Sequence, residues 1–218
     1  MSTPPIYAEK KQLTRIELDT RGSVIKVCPD FLSKEQSTSL FNHLLENISW
    51  QQTPMVNPRT GESFLLPRMQ GWMSEKDKKA KLYQKTAPDL WTDQVLQVKK
   101  AIEESLESVC AFDYVLFNRY RDGQDSINFH RDDEAEGVNE RDSPRNIIAS
   151  LSIGATRTFV MKSRHRDKKG SPCKKVEYKL SDGYLIVMEG TTQENWVHGV
   201  PKEPEIQGER INLTFRIT

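Results

Sequence analysis

The sequence predicts an α+β protein in which two helices pack outside a double-sheet β-sandwich or jelly roll. Two stretches of the first half repeat apolar residues at helical spacing. From residue 114 onward the chain breaks into short segments rich in β-branched and aromatic residues, parted by turn signals such as "DG" and "KKG". No helical pattern of about 10–15 residues lies between those segments, so the sheets should be antiparallel rather than built from βαβ units. At 218 residues the chain is long enough for one sizeable core or at most two small ones.

The elements follow in order. Residues 1–12, with Pro4, Pro5 and a charged cluster, read as a loose tail, leaving 13–218 as a single domain. Residues 23–28 form a short strand around Val24, Ile25 and Val27. "SKEQ" at 33–36 is a capping box and opens a helix carrying Leu40, Phe41, Leu44 and Leu45 on one face. The polar stretch with Pro54, Pro58 and Gly61 predicts a long loop running up to "FLLPRMQGW". From about Leu90 to Val109, Trp91, Val95, Val98, Ile102, Leu106 and Val109 recur every three or four positions, which is a helix. The strands are then "YVLFNRY" (114–120), "NIIASLSI" (146–153), "RTFVMK" (157–162), "KVEYKL" (175–180), "GYLIVME" (183–189) and "RINLTFRI" (210–217). There is no internal repeat and no low-complexity tract.

Composition narrows the class. No run approaches the ~20 apolar residues of a membrane span, and "MSTPPIYAEKKQLTR" lacks the apolar centre of a secretory signal. Cys28, Cys110 and Cys173 are odd in number and widely spaced, which predicts a reducing, intracellular compartment and argues against a zinc site. The net charge of +1 does not announce a nucleic-acid binder, but 162–175 holds seven Lys/Arg against one Asp, and 76–85 is a second basic run. On charge alone, solvated loops are the simpler reading of both.

The chemistry starts at "INFHRDDE" (127–134). Most short acidic runs after a strand are solvated turns, and a lone His-x-Asp means little. In a strand, however, residues two apart face the same way, so His130 and Asp132 would project together. A third ligand must come from the remaining histidines. His43 lies on the first helix and His165 in the basic run, whereas His198 in "NWVHGVP" stands where a strand meets a turn. Two imidazoles and one carboxylate leave three positions open on an octahedral ion, as non-haem Fe(II) oxygenases require. Zinc is the usual alternative for such ligands, but a closed zinc site wants a fourth.

The last strand sharpens this. In "RINLTFRI", Ile211, Leu213, Phe215 and Ile217 share one face and Arg210, Asn212, Thr214 and Arg216 the other. Ordinarily such arginines sit in water. Here six residues set the two arginine Cα atoms ~20 Å apart, and inward-reaching guanidiniums would leave a gap comparable with a short dicarboxylic acid. Arginine is the side chain best shaped to grip carboxylates. Asn118 and Tyr120 share a face of "YVLFNRY" and can donate to the same anion. Iron with open positions beside a dicarboxylate clamp points to 2-oxoglutarate.

"NRYRDGQDSINFHRDDE", "WVHGVP" and "RINLTFR" together resemble the AlkB family of Fe(II)/2-oxoglutarate-dependent dealkylating dioxygenases, most of all its eukaryotic DNA-repair members. The resemblance is specific from about residue 112 to the end. Before that, "FLSKEQSTSLFNHLLENISW" and "LPRMQGW" match in kind the family's leading helix and nucleotide-recognition lid. It implies a double-stranded β-helix (jelly roll) with outer helices on one face, a lid region at about 50–90 and a catalytic core at 112–218. It makes His130, Asp132 and His198 the iron ligands, and Asn118, Tyr120, Arg210, Asn212 and Arg216 the 2-oxoglutarate contacts. Glu134 falls where the family has an acid facing the flipped base.

The implied activity is oxidative demethylation of N-alkylated bases, of the 1-methyladenine and 3-methylcytosine type, in DNA. Fe(II) is the cofactor, 2-oxoglutarate and O2 are consumed, and formaldehyde and succinate are released. Taking a base from the stack costs a few kcal/mol, which an aromatic stack worth ~1–3 kcal/mol would partly offset. Trp72 is the candidate for that stack, with core packing as its alternative, and Arg68 the candidate for a lid contact to the nucleotide. The lysine-rich segment from Ser74 to Pro88 departs from the family pattern. The expected partner is a nucleic acid carrying alkylated bases, DNA ahead of RNA, with no membrane and a monomeric chain, nuclear in a eukaryote and otherwise cytoplasmic. An RNA or tRNA oxygenase and a non-catalytic nucleic-acid-binding protein are the alternatives. A complete triad with both arginines speaks against the latter.

Overall fold

A computed structural model describes residues 7, 10–57, 59–74, 87–106, 111–132 and 146–217. Helix α1 (Lys34–Asn47) begins at the predicted capping box. Ser33 Oγ accepts from the Gln36 amide while Gln36 Oε1 accepts from the Ser33 amide, which satisfies two otherwise orphaned donors. Helix α2 (Asp93–Ser105) is shorter than the apolar period suggests. Trp91 precedes its Thr92 N-cap, Leu106 closes it, and Val109 lies outside the described residues. Its buried face, Val95, Val98 and Ile102, is the expected one.

The strands are β1 (Thr14–Glu17), β2 (Ser23–Cys28), β3 (Pro54–Val56), β4 (Ser63–Leu65), β5 (Met69–Ser74), β6 (Tyr114–Tyr120), β7 (Ile127–His130), β8 (Ile148–Gly154), β9 (Arg157–Ser163), β10 (Lys175–Leu180), β11 (Tyr184–Gly190), β12 (Trp196–Val200) and β13 (Arg210–Arg216). They make a seven-stranded sheet in the order β1-β2-β11-β8-β13-β6-β5, a four-stranded sheet β10-β9-β12-β7, and the hairpin β3-β4. All the paired strands run antiparallel, the two-sheet jelly-roll arrangement that the turn-divided segments predict.

Strand alternation divides the interior in two. Ile211, Leu213 and Phe215 of β13 join Val115 and Phe117 of β6 in a core that packs against Leu40 and Leu44 of α1 and Val98 and Ile102 of α2. Both helices therefore cover the outer face of the large sheet. The inner face meets the small sheet through Ile25, Ile148, Ile186, Phe159, Met161 and Trp196. The alternate residues of β13, the polar ones, are left facing the space between the sheets.

Two expectations need correction, and one further element carries no sequence signal. The long loop before "FLLPRMQGW" is instead the hairpin β3-β4 followed by β5, an edge strand of the large sheet. Gly61, at φ +74, turns the hairpin in a conformation that side-chain-bearing residues disfavour, and Met55 and Phe64 pair across it. Within the expected tail, Tyr7 is buried in the outer core and its hydroxyl donates to the Gln36 carbonyl. Finally, a single helical turn, α3 (Thr192–Asn195), interrupts the run into β12. Four residues are too few to leave a periodic signal.

Candidate active site

A cavity of about 570 Å³ opens between the two sheets, with the β3-β4 hairpin on one side of it. Into it project His130, Asp132 and His198, whose ligand atoms all lie within 4.8 Å of one another. The two histidines are direct cross-strand partners on β7 and β12, so the pleat turns both rings the same way. Their ring centres are 4.4 Å apart. The next β12 residue is Gly199, where a Cβ would stand 2.8 Å from the Ile127 carbonyl oxygen. A glycine is what lets the strands approach this closely beside the triad, at the point where their register shifts.

Asp132 arrives differently from the expected strand alternation. Strand β7 ends at His130, and the Asp132 amide is held by a side chain, donating to Gln193 Oε1 at 2.9 Å. Gln193 comes from α3, is 2% exposed, and directs its own Nε2 at the Met188 sulfur. The helix is fixed in turn to β2, with the Thr192 hydroxyl accepting from the Val24 amide and Asn195 Nδ2 donating to Ser23 Oγ.

Burial alone would drive the Asp132 carboxyl up. The charges of Arg216 and His198, with hydrogen bonds from both imidazoles, outweigh it and hold the group well below the usual carboxylate range. The imidazoles move in opposite directions although both meet Asp132 at 3.3 Å. Burial lowers His198, which lies deep. His130 has more access to water, so its pairing with Asp132 overcomes burial and raises it. Nδ1 of His130 lies 2.9 Å from the Asn128 carbonyl, which can only accept. With the ring proton on Nδ1, Nε2 keeps its lone pair for a metal ion.

The opposite wall carries the arginines. Arg210 is 1% exposed, opposes Tyr120 across β13 and β6, and lies with its Cζ 5.1 Å from that ring's centre. Its Nη2 donates to Ser152 Oγ at 2.8 Å, while Nε and Nη1 are buried with no hydrogen-bond partner among the described residues. Burial pushes its pKa down. A buried guanidinium with two idle donors is costly unless an anion completes it, and a carboxylate is the kind of acceptor that arginine holds best. Arg216 departs from the expected role of simple clamp. Its Nη2 donates to Asp132 Oδ1 at 2.7 Å, joining the arginine face to the triad.

Asn118 and Tyr120 line the cavity as expected. Asn212 lines it too, but its Nδ2 already donates to Ser150 Oγ and the Leu151 carbonyl, and its Oδ1 accepts from Thr214. Ser150 and Thr214 thus belong to the cavity floor, although neither stands out in the sequence as a site residue. Gln193 escapes sequence reasoning as well, since its role depends on where a four-residue helix falls.

The substrate-side expectations fare less evenly. Arg68 lines the cavity. Trp72 does not: it is 4% exposed and buried in a separate small cluster with Tyr114 and Leu116. It follows Gln70 along one face of β5, but lies one repeat too far along the strand. Among the described residues, the exposed aromatics that line the cavity are Phe64, 47% exposed on β4, and Phe129, 43% exposed on β7. Glu134 and the basic run 76–85 lie outside the described residues. The other run, 162–175, spans the end of β9, the β9-β10 connection and the first residue of β10, with Arg164, Arg166, Lys168 and Lys169 exposed. Its single acid, Asp167, accepts from the amides of Lys169 and Ser171 and so shapes the turn. His43 bonds to Thr92 and His165 to Asn195, away from the triad.

A jelly roll that brings two imidazoles and a carboxylate to one wall, and leaves a buried guanidinium awaiting an anion on the other, defines a metal-dependent oxygenase that takes an acidic cosubstrate. The chain belongs to the 2OG-Fe(II) oxygenase superfamily, whose family model matches residues 25–216. Fe(II) is accordingly its metal, and 2-oxoglutarate and O2 its cosubstrates. It is 33% identical over 216 residues to the bovine (Bos taurus) alpha-ketoglutarate-dependent dioxygenase alkB homolog 3, covering 97% of this chain and 72% of that protein. It is 31% identical over 217 residues to the DNA oxidative demethylase ALKBH2 of Arabidopsis thaliana, covering 90% and 67%. The solved structure of OsALKBH1 superposes with a TM-score of 0.58 over 88% of this chain and 97% of that one, at 17% identity, a likeness of fold.

Proposed function

We propose that this protein is an Fe(II)/2-oxoglutarate-dependent oxidative demethylase that repairs N-alkylated bases of the 1-methyladenine and 3-methylcytosine type in DNA. The observation that carries the reading is the pairing, in one cavity, of the His130–Asp132–His198 cluster with the unsatisfied Arg210 guanidinium. The choice of DNA rests on the likeness to relatives named for that activity.

His130, Asp132 and His198 hold the metal through Nε2, a carboxylate oxygen and Nε2. Arg210 takes the distal carboxylate of 2-oxoglutarate, with Tyr120 beside it, and Asn118 donates from the same strand. Arg216 anchors Asp132 and adds positive charge at the metal end. When bound, iron with O2 and 2-oxoglutarate supplies the oxidation that hydroxylates an N-methyl carbon, giving succinate and carbon dioxide; the hydroxymethyl adduct then releases formaldehyde. The chain's part is to hold both carboxylates, fix the metal ligands and exclude bulk water. The rigid strands do this without reorganisation.

Substrate enters past the hairpin. Phe64 takes the stacking role that Trp72 is too deeply buried to fill, and Glu134 accepts from the exocyclic amine of the flipped base. The exposed cations of 162–175, together with the lysines of 76–85, contact phosphates. Residues 13–218 act as one catalytic domain, with 50–90 as the lid. The chain works as a monomer in a reducing intracellular compartment, the nucleus in a eukaryote and the cytoplasm otherwise. No helix among the described residues is long and apolar enough to cross a membrane.

The test loads the protein anaerobically with Fe(II) and offers 1-methyladenine in single-stranded DNA, duplex DNA and RNA in parallel. Formaldehyde and restored adenine should appear with DNA, with succinate in equal amount. Repair confined to RNA would move the enzyme to the RNA class. Absence of turnover on all three would sink the demethylase reading.

A further inference from the structure

Arg68 stands at the foot of the hairpin, one residue before β5, and is 8% exposed. The turn that carries it is held on both sides, with the Arg68 amide donating to the Leu66 carbonyl and the Ser126 amide to the Pro67 carbonyl. Its Nε donates to Asn118 Oδ1 at 2.7 Å. No carboxylate among the described residues lies within ion-pair distance of Arg68.

A guanidinium has no acceptor. The bond therefore fixes which way the Asn118 amide faces: Oδ1 is held by Arg68, and Nδ2 is the end left to donate elsewhere. The neighbouring strand shows why that matters. Asn118 and Asn212 are direct cross-strand partners on β6 and β13, and both line the cavity. Asn212 already uses Nδ2 on Ser150 and Leu151. Asn118 is thus the amide of this pair free to donate to a cavity anion, provided it is not flipped. A flipped Asn118 would present its oxygen to that anion and repel it.

We propose that Arg68 is a positioning residue for 2-oxoglutarate: it holds the Asn118 amide so that Nδ2 faces the cosubstrate, and it acts on the cosubstrate rather than on the nucleotide. The inference rests on reading this cavity as the 2-oxoglutarate site. It also gives the hairpin-bearing segment a part in cosubstrate binding, which the residues of β6 and β13 alone would not have.

The test measures 2-oxoglutarate affinity calorimetrically on protein loaded with Ni(II), which binds the site without turnover. Arg68→Met should weaken 2-oxoglutarate about ten- to a hundredfold, the usual consequence of losing one hydrogen bond to a charged group, and leave Ni(II) affinity as it was. In steady state with Fe(II), the KM for 2-oxoglutarate should rise far more than kcat falls. Asn118→Leu should weaken binding similarly. The double variant should be no worse than Asn118→Leu alone, because Arg68 acts only through that amide. Should Arg68→Met fail to fold, Arg68→Lys decides. Its ammonium still bonds Oδ1 but without the planar fork, so the loss should be partial.

Additive losses in the double variant overturn the proposal. So does wild-type 2-oxoglutarate affinity in Arg68→Met with weakened binding of a methylated oligonucleotide, which makes Arg68 a nucleotide contact. Arg210→Lys is the control for the underlying reading. Undiminished affinity in that variant means that the cavity is not the 2-oxoglutarate site, whatever Arg68 does.

Discussion

Arg216 donates to Asp132 at 2.7 Å, so one guanidinium of the expected cosubstrate clamp is bound to the carboxylate of the metal cluster. The two arginines of β13 are therefore unequal, Arg210 having two buried nitrogens without a hydrogen-bond partner among the described residues.

The inequality separates their variants. Arg210→Lys should weaken 2-oxoglutarate by at least about tenfold, since a point charge replaces a planar fork, and leave metal affinity alone. Arg216→Lys should weaken both, because Asp132 loses the partner that orients it. Calorimetry with Ni(II), then with 2-oxoglutarate on the Ni(II) form, reads the two constants in turn. Identical profiles for the two variants would contradict the asymmetry.

Gln193 supplies the acceptor for the Asp132 amide. Removing such an outer partner of a metal ligand typically costs about 10–100-fold in metal affinity. Gln193→Met, close in shape and without an acceptor, should fall in that range as measured by Co(II) absorption titration. His198→Ala should lose far more. A Gln193→Met protein that binds Co(II) like wild type would show that β7 and Arg216 position Asp132 without help.

Acid stability should report on Glu203. Burial would raise its carboxyl, but hydrogen bonds from the Thr158 hydroxyl and amide, Lys179 and Arg157 outweigh burial and bring it down to about 2. A carboxyl depressed on folding contributes stability that is present above its unfolded pKa of about 4.3 and lost as pH falls toward the folded value. Melting temperature should drop between about pH 5 and 2, and Glu203→Gln should flatten that part of the profile while melting lower at pH 7. Parallel profiles would place the acid sensitivity elsewhere.

Exposed cations of the β9-β10 connection should govern substrate affinity without governing chemistry. Changing Arg166, Lys168 and Lys169 together to Gln should weaken all oligonucleotides alike. For every phosphate left without its cation, the slope of log K against log salt should flatten by about 0.7–0.9. Fluorescence anisotropy at several salt concentrations measures this, and an unchanged slope would return the segment to a solvated loop.

Much of this protein was readable from residue order, because alternation and helical period are local properties. The capping box at Ser33 set the start of α1, and the two-residue repeat of "RINLTFRI" put Arg210 and Arg216 on the face that the fold turns inward. The same repeat, carried past the end of β7, misplaced the cause of the His130–Asp132 convergence, since no ladder reaches Asp132. The hairpin at 54–65 was hidden by its prolines and polar residues, whose strand pairing depends on Gly61 and on cross-strand neighbours. What only tertiary structure decided were relations between residues far apart in the chain. Trp72 proved to be a core residue although it shares a face of β5 with Gln70, because distance along the strand carries it beyond the cavity. Arg216 chose Asp132, Arg68 chose Asn118, and Gln193 reached the Asp132 amide because buried polar groups must find partners wherever the packed sheets bring them together.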